Sequence, residues 1–398
     1  MKKTIHLGAA VLMGTALAGC PATAPVTPGF TPAPTVTTTQ VGDRFLGIAA
    51  AGGQLYCGCA NYVDLFDTAT NLRGKRVEVE GGTPGPVRTF IDRREVLVQD
   101  EARGELRVLD AAATAPTPQT VGVTLQTLPV GKGTGRLSLG DDNQTVASSA
   151  GQDRKVVSFF FTDDRGKAPA RTEWEVGAPA ADGQARPLDW KNSKLLTVDF
   201  STNALKLFDG ANLTGKTLTT LQTVGPVGLG TDVGKAVITK GASEGVATVA
   251  IAIDKGKDAL VLVDLATGKV STLTGLGKGA RQLLVDPDNG RAFVGMYDSD
   301  EVAVVDYRTQ TVITRVPVAH HPMNLSVAPP TEGEIWVGGE DGALTVLDAK
   351  TNNVTVRNTL AIGKGDHHMT FWGTKGYVSN QADGTLNTIE RVNFRVPH

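Results

Sequence analysis

A short apolar run that ends in an acidic residue recurs along most of the chain and constrains the fold more than any other feature. Its clear copies are VDLFDTAT at 63–70, VLVDLAT at 261–267, VAVVDYRT at 302–309 and LTVLDAKT at 344–351. Weaker copies end at Asp110, Asp163, Asp209 and Glu390. The eight anchors follow one another at intervals of 42 to 55 residues, which is the length of one supersecondary unit.

Each unit contains strand patterns and no helical pattern. In the sixth unit the sequence predicts an innermost strand at Gln282–Asp286 and further strands at Arg291–Tyr297, Glu301–Asp306 and Thr311–Val318. The PDNG segment between the first two strands is a strong turn former. No window shows the 3.6-residue periodicity of a capped helix, so we expect almost no helix. The sequence therefore predicts an all-β fold, a β-propeller of four-stranded blades.

The number of blades follows from the number of anchors. Eight anchors favour eight blades, but the third and fifth units are irregular and Val233–Ile253 contains additional strand-like sequence, so seven blades is the alternative. The segment Thr35–Val41 resembles the outermost strands of other units. We expect it to join the last sheet and close the ring, because closure removes an exposed strand edge.

The later units resemble the repeat of YVTN-family β-propellers. The resemblance lies in Phe293–Met296, Val302–Thr309 and Val312–Val318, and Tyr377–Asn380 (YVSN) matches three letters of the name motif. It is good over about 255–390 and weaker over 41–254. It implies a ring-shaped propeller in an exported or surface protein, in a family with many binding or scaffold modules. No catalytic residue of neighbouring propeller families can be matched, so the resemblance implies no catalytic site.

The first twenty residues resemble a bacterial lipoprotein signal. Lys2 and Lys3 precede the apolar run Leu7–Leu17, which is too short to span a bilayer, and Leu17–Cys20 (LAGC) resembles a lipobox. The resemblance implies that Cys20 is lipidated and anchors the protein to a membrane. An ordinary secretory signal with a chance cysteine is the alternative. We therefore expect a lipid-anchored protein of the bacterial cell envelope, facing the periplasm or the cell surface.

Composition divides the rest of the chain. Residues 21–39 are rich in proline and threonine and carry no charge, which is typical of an extended spacer. The predicted organisation is a signal peptide at 1–19, the lipidated cysteine and linker at 20–40, and a propeller at 41–398. The chain has 39 basic and 41 acidic residues, a net charge of −2, so no global positive field is present to hold nucleic acid.

Basic and polar residues recur where the innermost strands begin, and a propeller brings these positions to one channel mouth. The candidate mouth residues are Lys132, Lys278, Lys364, Arg88, Arg136, Arg186, Arg281, His320 and His368, with Gln282 and Asn324 beside them. A cationic mouth would attract an anionic small ligand or an acidic segment of an envelope protein. The alternative is that the lysines, each flanked by glycines, are ordinary solvated turn residues.

Two histidine pairs and one cysteine pair are candidates for more specific chemistry. His320, His321, His367 and His368 lie in equivalent loops of successive units and are candidate metal ligands, although the pairs do not superimpose when the units are aligned. Cys57 and Cys59 lie two residues apart on a predicted strand, near the upper distance limit for a disulfide. A strained bridge and two buried thiols are both open at this stage.

No recognisable catalytic set accompanies these features. The sequence has no G-x-S-x-G elbow, no H-E-x-x-H and no P-loop. No cofactor is predicted, and a metal only at the histidines. The sequence favours a non-enzymatic module that binds a ligand or a protein. The alternative is a periplasmic propeller enzyme, lactonase-like or metal-dependent redox, that uses the channel mouth.

Overall fold

The computed structural model describes most of the chain from residue 34 onward. The described residues are 34–41, 45–90, 94–111, 121–140, 142, 144–162, 167–177, 187–191, 194–199, 204–209, 220–224, 233–240, 247–328 and 333–391. The predicted signal peptide, Cys20, Asp163 and Arg186 lie outside these residues. No helix among the described residues is long and apolar enough to cross a membrane.

Thirty-two strands of the described chain form eight four-stranded antiparallel sheets, the blades. Blade 1 consists of β2 (Gly47–Ala51), β3 (Gln54–Gly58), β4 (Tyr62–Asp67) and β5 (Arg73–Glu78). Blade 2 consists of β6 (Pro84–Phe90), β7 (Glu95–Asp100), β8 (Glu105–Asp110) and β9 (Thr124–Pro129). Blade 3 consists of β10 (Thr134–Leu139), β11 (Thr145–Ala150), β12 (Lys155–Phe160) and β13 (Ala170–Glu175). Blade 4 consists of β14 (Leu188–Lys191), β15 (Lys194–Val198), β16 (Leu205–Asp209) and β17 (Thr220–Val224).

The remaining four blades follow in the same order along the chain. Blade 5 consists of β18 (Val233–Lys240), β19 (Ala247–Asp254), β20 (Ala259–Asp264) and β21 (Val270–Leu273). Blade 6 consists of β22 (Ala280–Asp286), β23 (Arg291–Met296), β24 (Glu301–Asp306) and β25 (Thr311–Pro317). Blade 7 consists of β26 (Pro322–Val327), β27 (Glu334–Gly339), β28 (Ala343–Asp348) and β29 (Thr355–Ala361). Blade 8 consists of β30 (His367–Trp372), β31 (Lys375–Asn380), β32 (Thr385–Glu390) and β1 (Thr35–Gln40).

The first strand of the chain completes the last sheet, as the sequence predicts. β1 runs antiparallel to β32, in a register from Thr35 opposite Glu390 to Gln40 opposite Thr385. The propeller therefore begins at residue 35, six residues before the boundary drawn from the sequence, because the end of the proline- and threonine-rich segment is paired in a sheet. Eight blades are confirmed, and the alternative of seven is wrong.

The acidic anchor ends the third strand of each blade except the third, where β12 ends at Phe160. The aspartate accepts hydrogen bonds from the turn that follows, as expected from its position. Asp264 Oδ1 accepts from the backbone N–H groups of Ala266 (3.0 Å) and Thr267 (2.7 Å). Asp306 Oδ1 accepts in the same way from Arg308 and Thr309, both at 2.9 Å. The repeated sequence therefore reflects the hydrogen bonds of this turn as well as the apolar pattern of the strand.

The core lies between neighbouring blades. Between blades 5 and 6, for example, Ile251 and Leu262 pack against Leu283 and Val294 in one buried cluster. Strands buried on both faces need continuous apolar runs, which explains why the anchors read as unbroken rows of valine and leucine.

The possible disulfide between Cys57 and Cys59 is not formed. Both cysteines are buried and neither is in a disulfide, and Cys59 Sγ lies 3.6 Å from the carbonyl oxygen of Cys57. Cys57 is on β3, where an extended backbone holds residues i and i+2 near the limit for a bridge. Burial raises the pKa of the Cys57 thiol, and the neighbouring Cys59 and Asp64 raise it further. The reading as two buried thiols is the correct one.

Candidate functional site: the axial channel

The innermost strands of seven blades line one cavity of about 480 Å³ on the propeller axis. Blade 1 contributes none of the lining residues. The lining side chains that matter here are Arg88 from β6, Arg136 from β10, Asp189 from β14, Arg281 and Gln282 from β22, Asn324 from β26 and His368 from β30. Three arginines and a histidine predicted for the mouth thus share one cavity.

Strand register places four of these side chains at one level of the channel. Each of the four residues is paired with the next-to-last residue of the second strand of its blade. The pairs are Arg136 with Ser149, Gln282 with Gly295, Asn324 with Gly338 and His368 with Ser379. Side chains at one register position of equivalent strands face the axis at one depth. The four donors therefore form a ring near the start of the innermost strands.

Arg88 lies one layer deeper. It pairs with Leu97, three residues before the end of its second strand, and Ser138 holds the matching position opposite Ala147 in blade 3. Two residues along a strand correspond to about 7 Å, so Arg88 reaches the channel below the ring. The sequence places Arg88 in the mouth with the other arginines, and only the register separates the two levels.

Arg88 is a cation without a carboxylate partner among the described residues. Its Nη1 donates to the carbonyl oxygen of Val87 at 2.9 Å. The side chain of Arg88 is exposed to the channel, and the protein around the channel lowers its pKa; the neighbouring Arg136 lowers it further. Burial lowers the pKa of His368; Asp366 opposes this shift, while Arg88 and His367 add to it. Arg88, Arg136 and His368 therefore form one wall of the channel, in which a positive charge on one group disfavours a positive charge on the next.

Blade 1 lies between Arg88 and His368 and explains how they approach each other. At Gly47 on β2 an added Cβ would lie 2.6 Å from the carbonyl oxygen of Gly85 on β6. A residue larger than glycine has no room there, so blade 1 presents only backbone at this level. Blades 8, 2 and 3 consequently place His368, Arg88 and Arg136 on one side of the channel.

The acidic residues of the channel do not neutralise this wall. Asp189 Oδ2 accepts from the backbone N–H of Ile238 at 2.8 Å, and Oδ1 accepts from Ser138 Oγ at 3.4 Å. Its carboxylate thereby links blades 3, 4 and 5, and burial raises its pKa. Asp366 Oδ1 accepts from the N–H of His367 at 2.9 Å. On the side opposite the cations, the amides of Gln282 and Asn324 are neutral.

The three glycine-flanked lysines belong to the turns, not to the cavity lining. The backbone N–H of Lys132 donates to Asp153 Oδ2 at 2.8 Å, and that of Lys364 to Asp383 Oδ2 at 2.7 Å. Lys278 donates in the same way to Ser299 Oγ at 3.1 Å. The lysine side chains are exposed on the rim. The structure therefore favours the reading of these lysines as solvated turn residues.

Of the four candidate histidines, His320 and His321 lie together with Asp300, and His367 and His368 are not part of that group. His367 is buried, with Nδ1 3.1 Å from Asn380 Oδ1 and Nε2 2.8 Å from the carbonyl oxygen of Gly339. His368 is the next residue on β30 and faces the channel, as expected where side chains alternate. His320 and His321 lie in the loop before β26, with Asp300. Side-chain alternation and the angle between blades keep the pairs apart.

His320 and His321 instead form a cluster on the rim with residues of the neighbouring turns. His320 Nδ1 lies 2.9 Å from Asp300 Oδ2, and His321 Nδ1 lies 3.1 Å from Glu340 Oε2. The hydrogen bond to Asp300 raises the pKa of His320. Tyr297 donates to Glu340, and its ring lies 4.8 Å below the guanidinium of Arg281. Through Arg281 the cluster adjoins the channel.

Sequence reasoning missed Asp189, Glu340 and Tyr297. Asp189 lies in the irregular fourth unit, where the innermost strand is only four residues long. Aligning that unit by its anchor at Asp209 would have placed Asp189 on the axis. Glu340 follows the second strand of blade 7, in the turn that faces the preceding loop, a position that the repeat also defines.

Eight sheets of four antiparallel strands around an axial channel define an eight-bladed β-propeller, a fold that typically serves as a protein-binding scaffold. Among solved structures, the chain is similar to Sqt1 from Saccharomyces cerevisiae, with a TM-score of 0.68, 11% identity and coverage of 90% of this chain and 98% of that one. In all, 1542 solved chains match. At 11% sequence identity the likeness to Sqt1 shows the fold alone. No protein-family profile matches the sequence, and no curated protein matches it either. Membership of the YVTN family stays a prediction.

Proposed function

We propose that the protein is a lipid-anchored β-propeller of the bacterial cell envelope that binds an anionic ligand in its axial channel. The observation that carries the proposal is Arg88, whose side chain is exposed to the channel, has no carboxylate partner among the described residues and lines the same cavity as Arg136 and His368. Arg88 and Arg136 lie close enough for each positive charge to disfavour the other. A bound anion would reduce this repulsion and gain charge-assisted hydrogen bonds from the guanidinium groups.

The cavity has the size and polarity of a small-molecule site. A volume of about 480 Å³ falls within the usual range for ligand pockets. Arginine guanidinium groups suit carboxylates and phosphates, which they bind through paired hydrogen bonds. On the opposite side, the amides of Gln282 and Asn324 both donate and accept hydrogen bonds. The ligand that fits is a small carboxylate or phosphate compound with hydroxyl or carbonyl groups away from its charge.

The proposed location depends on the amino-terminal sequence. The basic, apolar and LAGC segments up to Cys20 resemble a lipoprotein signal, and the uncharged residues 21–39 suit a spacer between a membrane and a folded body. A diacyl or triacyl group on Cys20 would hold the propeller at a membrane with its channel accessible to solutes of the envelope.

Ligand binding is tested by calorimetric titration of the purified protein with citrate, phosphate and sulfate. We expect binding at millimolar concentrations or tighter, and a loss of about tenfold or more in Arg88→Ala, because a charge-assisted contact is removed. Arg315→Ala is the matched control, since Arg315 is an exposed arginine on β25. No binding of any of the three anions, or equal loss in both variants, would refute the proposal.

The anchor is tested separately by expressing the full chain in bacteria. The wild-type protein should partition with the membrane fraction and incorporate a labelled fatty acid. Cys20→Ser should move the protein to the soluble fraction and remove the label. If Cys20→Ser remains in the membrane fraction, the anchor is elsewhere and this part of the proposal fails.

A further inference from the structure

We infer that Asp300, His320 and His321 bind a divalent transition-metal ion on the rim of the channel. Asp300 lies in the turn before β24, and the two histidines lie in the loop that leads into β26. One potential ligand atom from each residue lies within 4.8 Å of the others, and this is the only such group of three in the described part of the chain. The site is separate from the cavity that carries the proposed function.

The spacing of Asp300 and His320 fits a shared ion. Asp300 Oδ2 and His320 Nδ1 are 2.9 Å apart. Two ligands at right angles around an ion with bonds of about 2.1 Å are separated by about 3.0 Å. Asp300 Oδ2 and His320 Nδ1 are therefore already separated by about the distance expected for two ligands of one ion. Asp300 Oδ1 accepts the backbone N–H of His321 at 2.8 Å, which fixes the carboxylate in this orientation.

His321 is held so that its other nitrogen is available. Its Nδ1 is 3.1 Å from Glu340 Oε2, and its ring stacks on Tyr297 with centroids 4.1 Å apart and planes 14° apart. No described residue hydrogen-bonds to His321 Nε2. Metal-binding histidines commonly place one ring nitrogen on a carboxylate, which fixes the tautomer and leaves the other nitrogen for the ion. Glu340 and Tyr297 have that supporting role here.

The other blades show that the turn does not need histidines. The equivalent loops contain Gly-Lys-Gly at 131–133, 277–279 and 363–365, and blade 7 has Ala-His-His at 319–321. The third position is left-handed in all four loops, with φ of 69° at Gly133, 75° at Gly279, 101° at Gly365 and 52° at His321. This conformation suits glycine and is unfavourable for histidine. In blade 7 a histidine occupies this left-handed position and places a second imidazole beside that of His320. Backbone strain of this kind is concentrated at functional sites.

The donor set indicates which ions fit. Two imidazoles and one carboxylate suit zinc, copper, nickel or iron(II) better than calcium or magnesium, which prefer oxygen ligands. Three protein ligands leave further coordination positions for water or for an anionic group of a bound molecule. His320 is 54% exposed and His321 31% exposed, so an ion in solution reaches both.

The test is a zinc titration of the full chain, without an affinity tag and after treatment with a chelator, in competition with a chromophoric chelator. We expect one zinc ion per chain at this site. The double variant His320→Lys/His321→Gly restores the residues of the other blades and should abolish the site. It should unfold at the same temperature or higher, because glycine relieves the left-handed strain, so loss of binding cannot be ascribed to misfolding.

Asp300→Asn and Asp153→Asn form a matched pair. Both aspartates accept a backbone N–H from a loop that enters an innermost strand, Asp300 from the loop of the next blade and Asp153 from the loop of its own blade, but only Asp300 lies beside histidines. Asp300→Asn should weaken zinc binding by about tenfold or more, and Asp153→Asn should leave it unchanged. With cobalt, the visible d–d absorption of imidazole ligation should be present in the wild type and absent in the double variant. Failure of the wild type to bind zinc, or equal binding by the double variant, would overturn the inference.

Discussion

Where an aspartate ends the third strand, its carboxylate can accept hydrogen bonds from the turn that follows, as at Asp264 and Asp306. Asp264 Oδ1 accepts two backbone N–H groups and the Thr267 hydroxyl, the last at 2.8 Å. The hydrogen bonds from Thr267 lower the pKa of Asp264. Its folded-state pKa thus lies below the value of about 3.9 in an unfolded chain. The resulting stability is present above about pH 4 and is lost as the pH falls through the folded-state pKa.

Asp264→Ala should lower the free energy of unfolding by about 1 kcal/mol at pH 7, because the turn loses its acceptor. Denaturant titrations at pH 7 and near pH 2.5 provide the measurement. The difference between wild type and variant should shrink in acid, since the wild-type carboxyl group begins to take up a proton as the pH falls toward its lowered pKa. A difference that is the same at both pH values would show that the carboxylate charge does not contribute.

At the same scale, His368 gives the channel a predictable pH dependence. Its pKa lies below the usual 6.5, so at pH 7 the imidazole is neutral. Asp366 favours the protonation of His368, while Arg88 and His367 oppose it. Protonation adds a positive charge to a wall that already carries Arg88, and a bound anion therefore favours the protonated form.

Sulfate affinity should consequently rise as the pH falls below about 6.5, because the lowered pKa of His368 delays its protonation to below the usual imidazole range. Sulfate is the suitable probe because its own charge is constant in this range. His368→Asn places the residue of blade 7 in blade 8 and should flatten the profile. An unchanged profile in His368→Asn would assign the pH dependence to another group.

At the scale of elements, neighbouring blades are linked by buried polar contacts as well as by apolar packing. Arg291 on β23 of blade 6 is only 2% exposed, and its guanidinium donates to Asp286 Oδ2 at 2.7 Å. It also donates to two carbonyl oxygens of blade 7, Thr351 at 2.7 Å and Ala349 at 2.6 Å. Burial alone would raise the pKa of Asp286, but the hydrogen bonds from Arg291 and Asn289 lower it.

Arg291→Met should lower the free energy of unfolding by about 2–3 kcal/mol, because a partly buried carboxylate loses its arginine partner and two carbonyl groups lose their donor. Arg308→Met is the control in the same blade. Arg308 is exposed and donates to the carbonyl oxygen of Pro287 at 2.8 Å, so its loss should cost about 0.5 kcal/mol or less. Guanidinium denaturation of both variants measures the difference, and similar losses would contradict the assigned role of Arg291.

The elements were also the part of the structure most accessible from sequence. In the sixth unit the third strand was predicted at its observed bounds, and the innermost strand began two residues late, at Gln282 instead of Ala280. The missed residues lie at a β-bulge between Ala280 and Gln282, where alternation is interrupted. Side-chain alternation and turn residues are local features, so they can be recognised within one unit. A β-bulge depends on how the innermost strand is placed around the propeller axis.

At the scale of the whole molecule, ring closure depends on a strand from the opposite end of the chain. Val36 on β1 is opposite Ile389 and packs against the cluster that contains Trp336 and Leu344. Without β1, the edge of β32 would be open to pairing with another molecule. Closure therefore stabilises the ring and protects it from association.

Val36→Asp should lower the free energy of unfolding by about 2 kcal/mol and promote self-association, because a charge replaces a partly buried valine at the closing strand. Thr37→Asp introduces the same charge at an exposed position of β1 and should have little effect. Thermal melts and light scattering after size-exclusion chromatography measure both outcomes. Equal behaviour of the two variants would show that β1 is not needed for closure.

The sequence by itself determined the blade: its length, its four strands and the acidic end of the third strand. These follow from hydrogen bonding and apolar alternation within about fifty residues. Only the tertiary structure decided which side chains meet. The level of Arg88 below the ring, the separation of His320 from His368 and the contact of His321 with Glu340 depend on strand register and on the angle of each blade around the axis. Neither quantity is encoded in a single repeat, because both arise from how eight repeats pack against one another.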